Sequence, residues 1–284
     1  MREPFRVEGP AAPDPRGPVD GAPPETPLVV EIPHAGVYVD PLSLANMVAP
    51  ASSIARDADL HVEALYAGAP SRGAHVIASQ VSRYVLDLNR AEHDVDPAAV
   101  AGARPEVRAT RGLVWRLTSD GEEVLARPIS RAELERRLGW LYRPYHARLA
   151  EIIAEKRRRF GYAIVLAAHS MPSVGRSGHP DRSHARADVV PGTRARTSAA
   201  GSVIDVVDHV AVAHGLTVAH DDPYKGGFTT QHYGRPREGV HVVQVELARR
   251  LYMDETTLAV DPPRFARLQR FCDELLTALA AARP

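Results

Sequence analysis

Two apolar stretches give way to histidine in the same manner: LVVEIP (28–33) runs into His34, and AIVLAA (163–168) into His169. Imidazole binds metals and carries protons, and open α/β sheets bind ligands at the carboxyl ends of their strands. Small or turn-forming residues follow each histidine, Ala35-Gly36 and Ser170-Met171-Pro172, so a ligand has room beside the backbone. Two imidazoles leave a hydrolytic zinc site one protein ligand short, and a carboxylate is a common third. Asp57 and Asp59 in RDAD (56–59) are the candidates. One of them would also cap a helix. We favour Asp57 over Asp59 and keep both.

Gln244 and Glu246, in HVVQVELARR (241–250), share a face with Val242 and oppose Val243 and Val245. A carboxylate with restricted solvent is suited to general-base work on water. Pairing of Glu246 with Arg249 or Arg250 explains it equally well. In SRYVLDLNR (82–90), period two puts Tyr84, Leu86 and Leu88 on one face. Arg83, Val85, Asp87 and Asn89 fall on the other, and such a polar face needs partners or a ligand. Asn89 and Arg90 have the donors to grip a carboxylate, and Asp87 reads as a buried partner that fixes an arginine. In KGGFTTQHYG (225–234), Gly226 and Gly227 suit a loop closing over a ligand, with His232 as a further polar contact.

These residues must be positioned by a sheet and its helices. The pattern predicts strands at 28–33, 74–79, 82–90, 163–170 and 216–220, and another from 241 running into a helical turn by 252. It predicts helices at 56–67, from Arg131 onward, at 198–214 and at 263–282. Ser130-x-x-Glu133 has the capping-box form, and Pro144 should kink the helix that follows. Segments 91–128, 171–197 and 221–239 read as loops. The uninterrupted apolar run at 163–168 marks a central strand covered on both faces. Strands alternating with helices give an α/β fold, three-layered, with a mixed, mostly parallel sheet and helices on both faces. Residues 1–27, rich in Pro, Gly and Ala, read as a tail with at most a little extended structure. Residues 28–284 read as a single domain.

Thirty-five basic residues balance thirty-five acidic ones in a chain of 284 residues. That balance gives no reason to expect nucleic acid or an anionic membrane as partner. A lone cysteine, Cys272, rules out an internal disulfide framework and a Cys-rich metal site. No apolar run has transmembrane length and no signal-peptide core opens the chain, so a cytoplasmic location is expected. The oligomeric state is not legible.

Taken in order, IPHAG (32–36), RDADLHVEALY (56–66), SRYVLDLNR (82–90), AHSMPS (168–173), DVVPGT (188–193), GGFTTQHYG (226–234) and VQVELARRLYMDE (243–255) resemble the N-formylglutamate amidohydrolase family. The resemblance implies a phosphorylase/hydrolase-like α/β fold related to zinc carboxypeptidases. It implies metal-dependent hydrolysis of N-formyl-L-glutamate, a small dicarboxylate, to formate and L-glutamate in histidine degradation. Zn²⁺, or another divalent transition metal, would sit on His34, His169 and a carboxylate within Asp57–Asp59. Glu246 is similar in placement to the catalytic glutamate of the carboxypeptidases, and Asn89-Arg90 to their carboxylate-holding pair. Arg83 would join that pair on the substrate's carboxylates. The chain departs from the carboxypeptidase His-x-x-Glu spacing, since Val37 stands three residues after His34. Ala168 replaces an aspartate that often precedes the second histidine. The alternatives are another N-acyl amino acid as substrate, or a non-catalytic carboxylate-binding relative.

Overall fold

Apolar runs without a polar face must be covered on both sides, and the strands of this chain are. The computed structural model describes residues 3–10, 24–104 and 110–284. Its strands are β1 (Phe5–Glu8), β2 (Leu28–Ile32), β3 (His75–Ser79), β4 (Ala163–Met171), β5 (Val189–Gly192) and β6 (Val240–Ala248). Every residue of β2, β4, β5 and β6 is buried. They form one six-stranded sheet in the order β1-β3-β2-β4-β6-β5. The four inner strands run parallel, and the two edges, β1 and β5, run antiparallel.

The helices are α1 (Pro41–Leu44), α2 (Ala51–Asp57), α3 (Val62–Leu65), α4 (Arg131–Arg137), α5 (Arg143–Phe160), α6 (Gly201–Ala213), α7 (Phe228–Tyr233) and α8 (Pro262–Ala281). On one face of the sheet, Val203, Ile204 and Val207 of α6 and Leu268, Phe271 and Leu275 of α8 pack against Val30, Leu166 and Val245. On the other, Tyr145, Leu149 and Ile152 of α5 pack against Val29, Val165 and Val242. Each such fully buried aliphatic side chain contributes about 1.5–3 kcal/mol. Ser130 caps α4 by accepting from Glu133 N at 3.1 Å. Ahead of Pro144, a π turn, Leu138–Tyr142, lies between α4 and α5. No helix among the described residues is long and apolar enough to cross a membrane.

The α5 face of the sheet changes character along the strands. Val29, Val165 and Val242 form one ladder row. The next row is Glu31, Ala167 and Gln244, and beyond it His169 stands opposite Glu246. Apolar residues cover the end that α5 packs on, and polar residues take over toward the strands' carboxyl ends. The chain leaves β2 toward β3 on one side, whereas β4 is flanked by β6 on the other. The gap between β2 and β4 is therefore the point at which the sheet order diverges, where α/β sheets open a ligand crevice.

Several local expectations are corrected. Residues 82–90 are turns rather than a strand. Ser82 and Asp87 bond nearby backbone: Tyr84 N donates to Ser82 Oγ at 3.2 Å, and Asn89 N to Asp87 Oδ1 at 2.9 Å. Such local bonds compete with a ladder. The helix expected at 56–67 is broken at 58–61, where His61 takes a φ of 66°, leaving α2 and α3 on either side. Residues 216–220 form only an isolated bridge, Val189 with Val218. The expected loops at 171–197 and 221–239 contain β5 and α7. The little extended structure allowed to the tail is residues 5–8, which form β1 against β3. The tail's residues 1–2 and 11–23, and residues 105–109 of the 91–128 loop, lie outside the described residues.

Candidate functional site

His34 leaves the end of β2 and His169 sits near the end of β4, so the two rings meet across the sheet's divergence point. Their Nδ1 atoms are 3.2 Å apart. Asp59 Oδ2 lies 3.0 Å from His169 Nδ1 and 3.7 Å from His34 Nδ1. A local fold brings Asp59 there: its N–H donates to His34 O at 2.9 Å after the chain turns out of α2. Gly36 lets this corner close, because a Cβ at that position would strike the backbone of Gln80.

All three side chains are buried and could hold one metal ion. The donor set passes a geometric test. Tetrahedral zinc bound at about 2.0–2.2 Å by His nitrogen and carboxylate oxygen has ligand–ligand edges of roughly 3.3 Å, and the three separations lie on either side of that value. The ring on the β2 side is also oriented for it. Asp87 Oδ1 accepts from His34 Nε2 at 2.7 Å, which leaves the Nδ1 lone pair facing His169 and Asp59.

Asp87 is saturated. Its Oδ2 accepts from Arg83 Nη2 at 2.8 Å and from Trp115 Nε1 at 2.9 Å. Burial raises its pKa, but the charge of Arg83 and the contact with His34 outweigh that and hold it well below the usual carboxylate range. Asp59 behaves alike: burial opposes ionisation, and the hydrogen bond to His169 overcomes it. Arg249 donates to Asp59 Oδ1 at 3.2 Å and to Ala58 O at 2.7 Å, fixing the second carboxylate oxygen.

Glu246 faces His169 in the parallel ladder. Its Oε1 accepts from Gln244 Nε2 at 2.8 Å. Burial raises its pKa above that of an ordinary glutamate, with the Asp59 charge adding to it and the histidines opposing. Glu246 pairs with neither Arg249 nor Arg250, since Arg249 is on Asp59 and Arg250 reaches Asp188 at 2.7 Å.

These groups open onto a cavity of about 330 Å³. Arg83, Arg90, Asn89, Gly226 and Gly227 line it as well. The Asn89 amide is engaged on both sides: its Nδ2 donates to Gln244 Oε1 at 3.1 Å, and its Oδ1 accepts from Thr229 N at 3.0 Å. Gly227 lies so close that a Cβ would fall 2.5 Å from that amide. Asn89 therefore ties the 226–229 turn to β6. Two candidates stand apart from the cluster, although Asp57 still lines the cavity. Asp57 is turned away from the histidines; its carboxylate takes bonds from Tyr84 Oη at 2.5 Å, Ser119 N at 2.9 Å and Arg176 at 2.8 Å. Asp59, not Asp57, supplies the carboxylate of the cluster. His232 is exposed on α7, stacked 4.7 Å from Phe228, and borders a neighbouring cavity.

The sequence reading missed Arg111, Trp115, Arg176 and Tyr224, all of which line the cavity. They come from irregular segments, where no periodicity marks a buried side chain. Trp115 alone carried a usable signal, as one of two tryptophans in the chain and the end of the apolar run Leu113-Val114-Trp115.

Known proteins agree with this architecture. A model of the family described as N-formylglutamate amidohydrolase matches residues 26–253. The chain is 35% identical over 233 residues to an N-formylglutamate deformylase of Pseudomonas aeruginosa, covering 81% of this chain and 83% of that protein. It is 35% identical over 234 residues to one from Pseudomonas putida, with the same coverage. Its fold is similar to the crystal structure of N-formylglutamate amidohydrolase from Ralstonia eutropha, with a TM-score of 0.85, 31% identity and coverage of 98% of this chain and 97% of that one. The ordered motifs, the α/β sheet and relatives that span most of both chains lead to one conclusion: this chain belongs to the N-formylglutamate amidohydrolase family.

Proposed function

We propose that the chain hydrolyses N-formyl-L-glutamate to formate and L-glutamate, with Zn²⁺ held by His34, Asp59 and His169. The observation that carries this reading is the meeting of those three donors opposite Glu246 at the floor of a cavity rich in arginine. The names of the relatives support the substrate.

Bound there, zinc supplies Lewis acidity, polarising a carbonyl oxygen and lowering the pKa of water toward neutrality. The chain does the rest. Glu246 takes a proton from the attacking water on its carboxylate and passes it to the amide nitrogen as the C–N bond breaks. Its raised pKa suits a group that must both accept and return a proton near neutral pH. Asp87 keeps His34 in the tautomer with its proton on Nε2. Arg83, held by Asp87, places a fixed positive charge beside the reacting carbonyl, where negative charge develops. Arg90 binds a substrate carboxylate. Asn89 acts through its side-chain amide, bracing the Gly226-Gly227 turn that walls the cavity.

Formate release measured across a panel of N-formyl amino acids tests the substrate. N-formyl-L-glutamate should have the highest kcat/KM. A higher value for an N-formyl amino acid with a neutral side chain would replace the substrate while keeping the reaction.

A further inference from the structure

The arginines of the cavity are not equivalent. Arg56, Arg83, Arg176 and Arg249 each have a carboxylate within 4.0 Å. Arg90 and Arg111 have none among the described residues, although both line the cavity and neither is fully exposed. Lys225 is exposed, and water can meet its charge.

Arg90 and Arg111 are joined to each other. Arg90 Nε donates to Arg111 O at 2.8 Å. The Arg111 guanidinium uses Nη2 on Gly178 O and Nη1 on Thr118 O. It lies 6.0 Å from the Trp115 ring, the same ring on which Arg83 sits at 4.5 Å. Burial lowers the Arg111 pKa; the charges of Arg83 and Arg90 add to that, and Asp57 opposes it. A desolvated guanidinium beside two others is a standing electrostatic cost unless an anion arrives. The remaining N–H groups of its fork suit a carboxylate.

Order along the cavity assigns the anion. Arg83 is linked to His34 through Asp87, at the reacting end. Arg90 follows Asn89, whose amide leads through Gln244 to Glu246. Arg111 takes Arg90 on its backbone carbonyl and donates to Gly178 O, between the exposed Ser177 and Pro180 where the cavity meets solvent. In N-formylglutamate the side-chain carboxylate is two bonds farther from the formyl carbon than the α-carboxylate is. We propose that Arg111 reads the side-chain carboxylate while Arg90 holds the α-carboxylate, so that the pair selects dicarboxylates over monocarboxylates. This assignment rests on the reading of the site as one for N-formylglutamate.

Calorimetric binding of L-glutamate and of its neutral isostere L-glutamine to the zinc-loaded protein tests it without turnover. Wild type should favour glutamate by about 100-fold or more, as expected when a buried charge pair loses one partner. Arg111→Met should bring that ratio to within a few-fold of unity, chiefly by weakening glutamate. Arg111→Lys, which keeps the charge but not the fork and is the safer variant for folding, should give an intermediate ratio. A ratio unchanged in both variants overturns the assignment, and so does an equal loss of both ligands. Glutamate selectivity that depends on Arg111, in a protein that releases no formate from N-formyl-L-glutamate, would support this assignment and count against the reaction alone.

Discussion

The carboxylate of Asp87 lies 2.7 Å from Nε2 of His34. That contact fixes which nitrogen of His34 faces His169 and Asp59. Because Asp87 also holds Arg83, one buried carboxylate orients both the His34 ring and a cation of the cavity. Replacing Asp87 with Asn should weaken zinc binding by about 10–100-fold, the usual consequence of losing a carboxylate behind a ligating histidine. Competition with a chromogenic chelator measures this directly. Unchanged affinity would mean that the contact is not used to orient the ring.

Asp59 and Asp57 are two residues apart and do different things. Asp59→Asn should lose most of its zinc. Asp57→Asn should keep zinc near one equivalent per chain but unfold more easily, by about 1–3 kcal/mol, because buried partners lose their acceptor. Metal analysis together with urea denaturation of both variants separates the two. The reverse pattern would return the metal carboxylate to Asp57.

Glu246→Gln keeps the size and the neighbouring hydrogen-bond capacity of the side chain but cannot accept the water's proton. We expect kcat to fall by about 10²–10⁴-fold with zinc content unchanged. Retention of wild-type kcat would remove Glu246 from the proton path.

Acid sensitivity should show at the cavity rim. Asp181 binds Arg186 through two contacts of 2.7 and 2.9 Å, and this hydrogen bonding holds the Asp181 pKa below its ordinary value. A depressed carboxylate pKa adds stability above the unfolded value of about 3.9 and loses it as pH falls through the folded value. The stability difference between wild type and Asp181→Asn should therefore be constant above about pH 5 and shrink below about pH 4. Urea unfolding over that range measures it. A difference that does not change with pH would assign the effect to packing.

The two histidines were legible because each interrupts an apolar strand at its carboxyl end, and a strand end is fixed by the sheet. Glu246 was legible from alternation, which survives in β6 because all nine of its residues are buried in a regular ladder. Alternation misled at 82–90, where the side chains of Ser82 and Asp87 satisfy backbone groups that a strand would have paired. Choosing between Asp57 and Asp59 needed the turn at 58–61; its left-handed residue, His61, is of a type enriched in that conformation, but most histidines do not adopt it, so the sequence does not mark the turn. Arg111 lies in an irregular segment, and its nearness to Arg90 depends on a contact between 90 and 111 that no local pattern encodes.

The central claim is that a metal on His34, Asp59 and His169 enables the chain to deformylate N-formyl-L-glutamate. Its most direct test is formate release by one preparation assayed as purified, after chelator treatment, and after return of one equivalent of zinc. The account predicts release, its loss on stripping and its recovery on return. Release that continues undiminished in metal-free protein would contradict it.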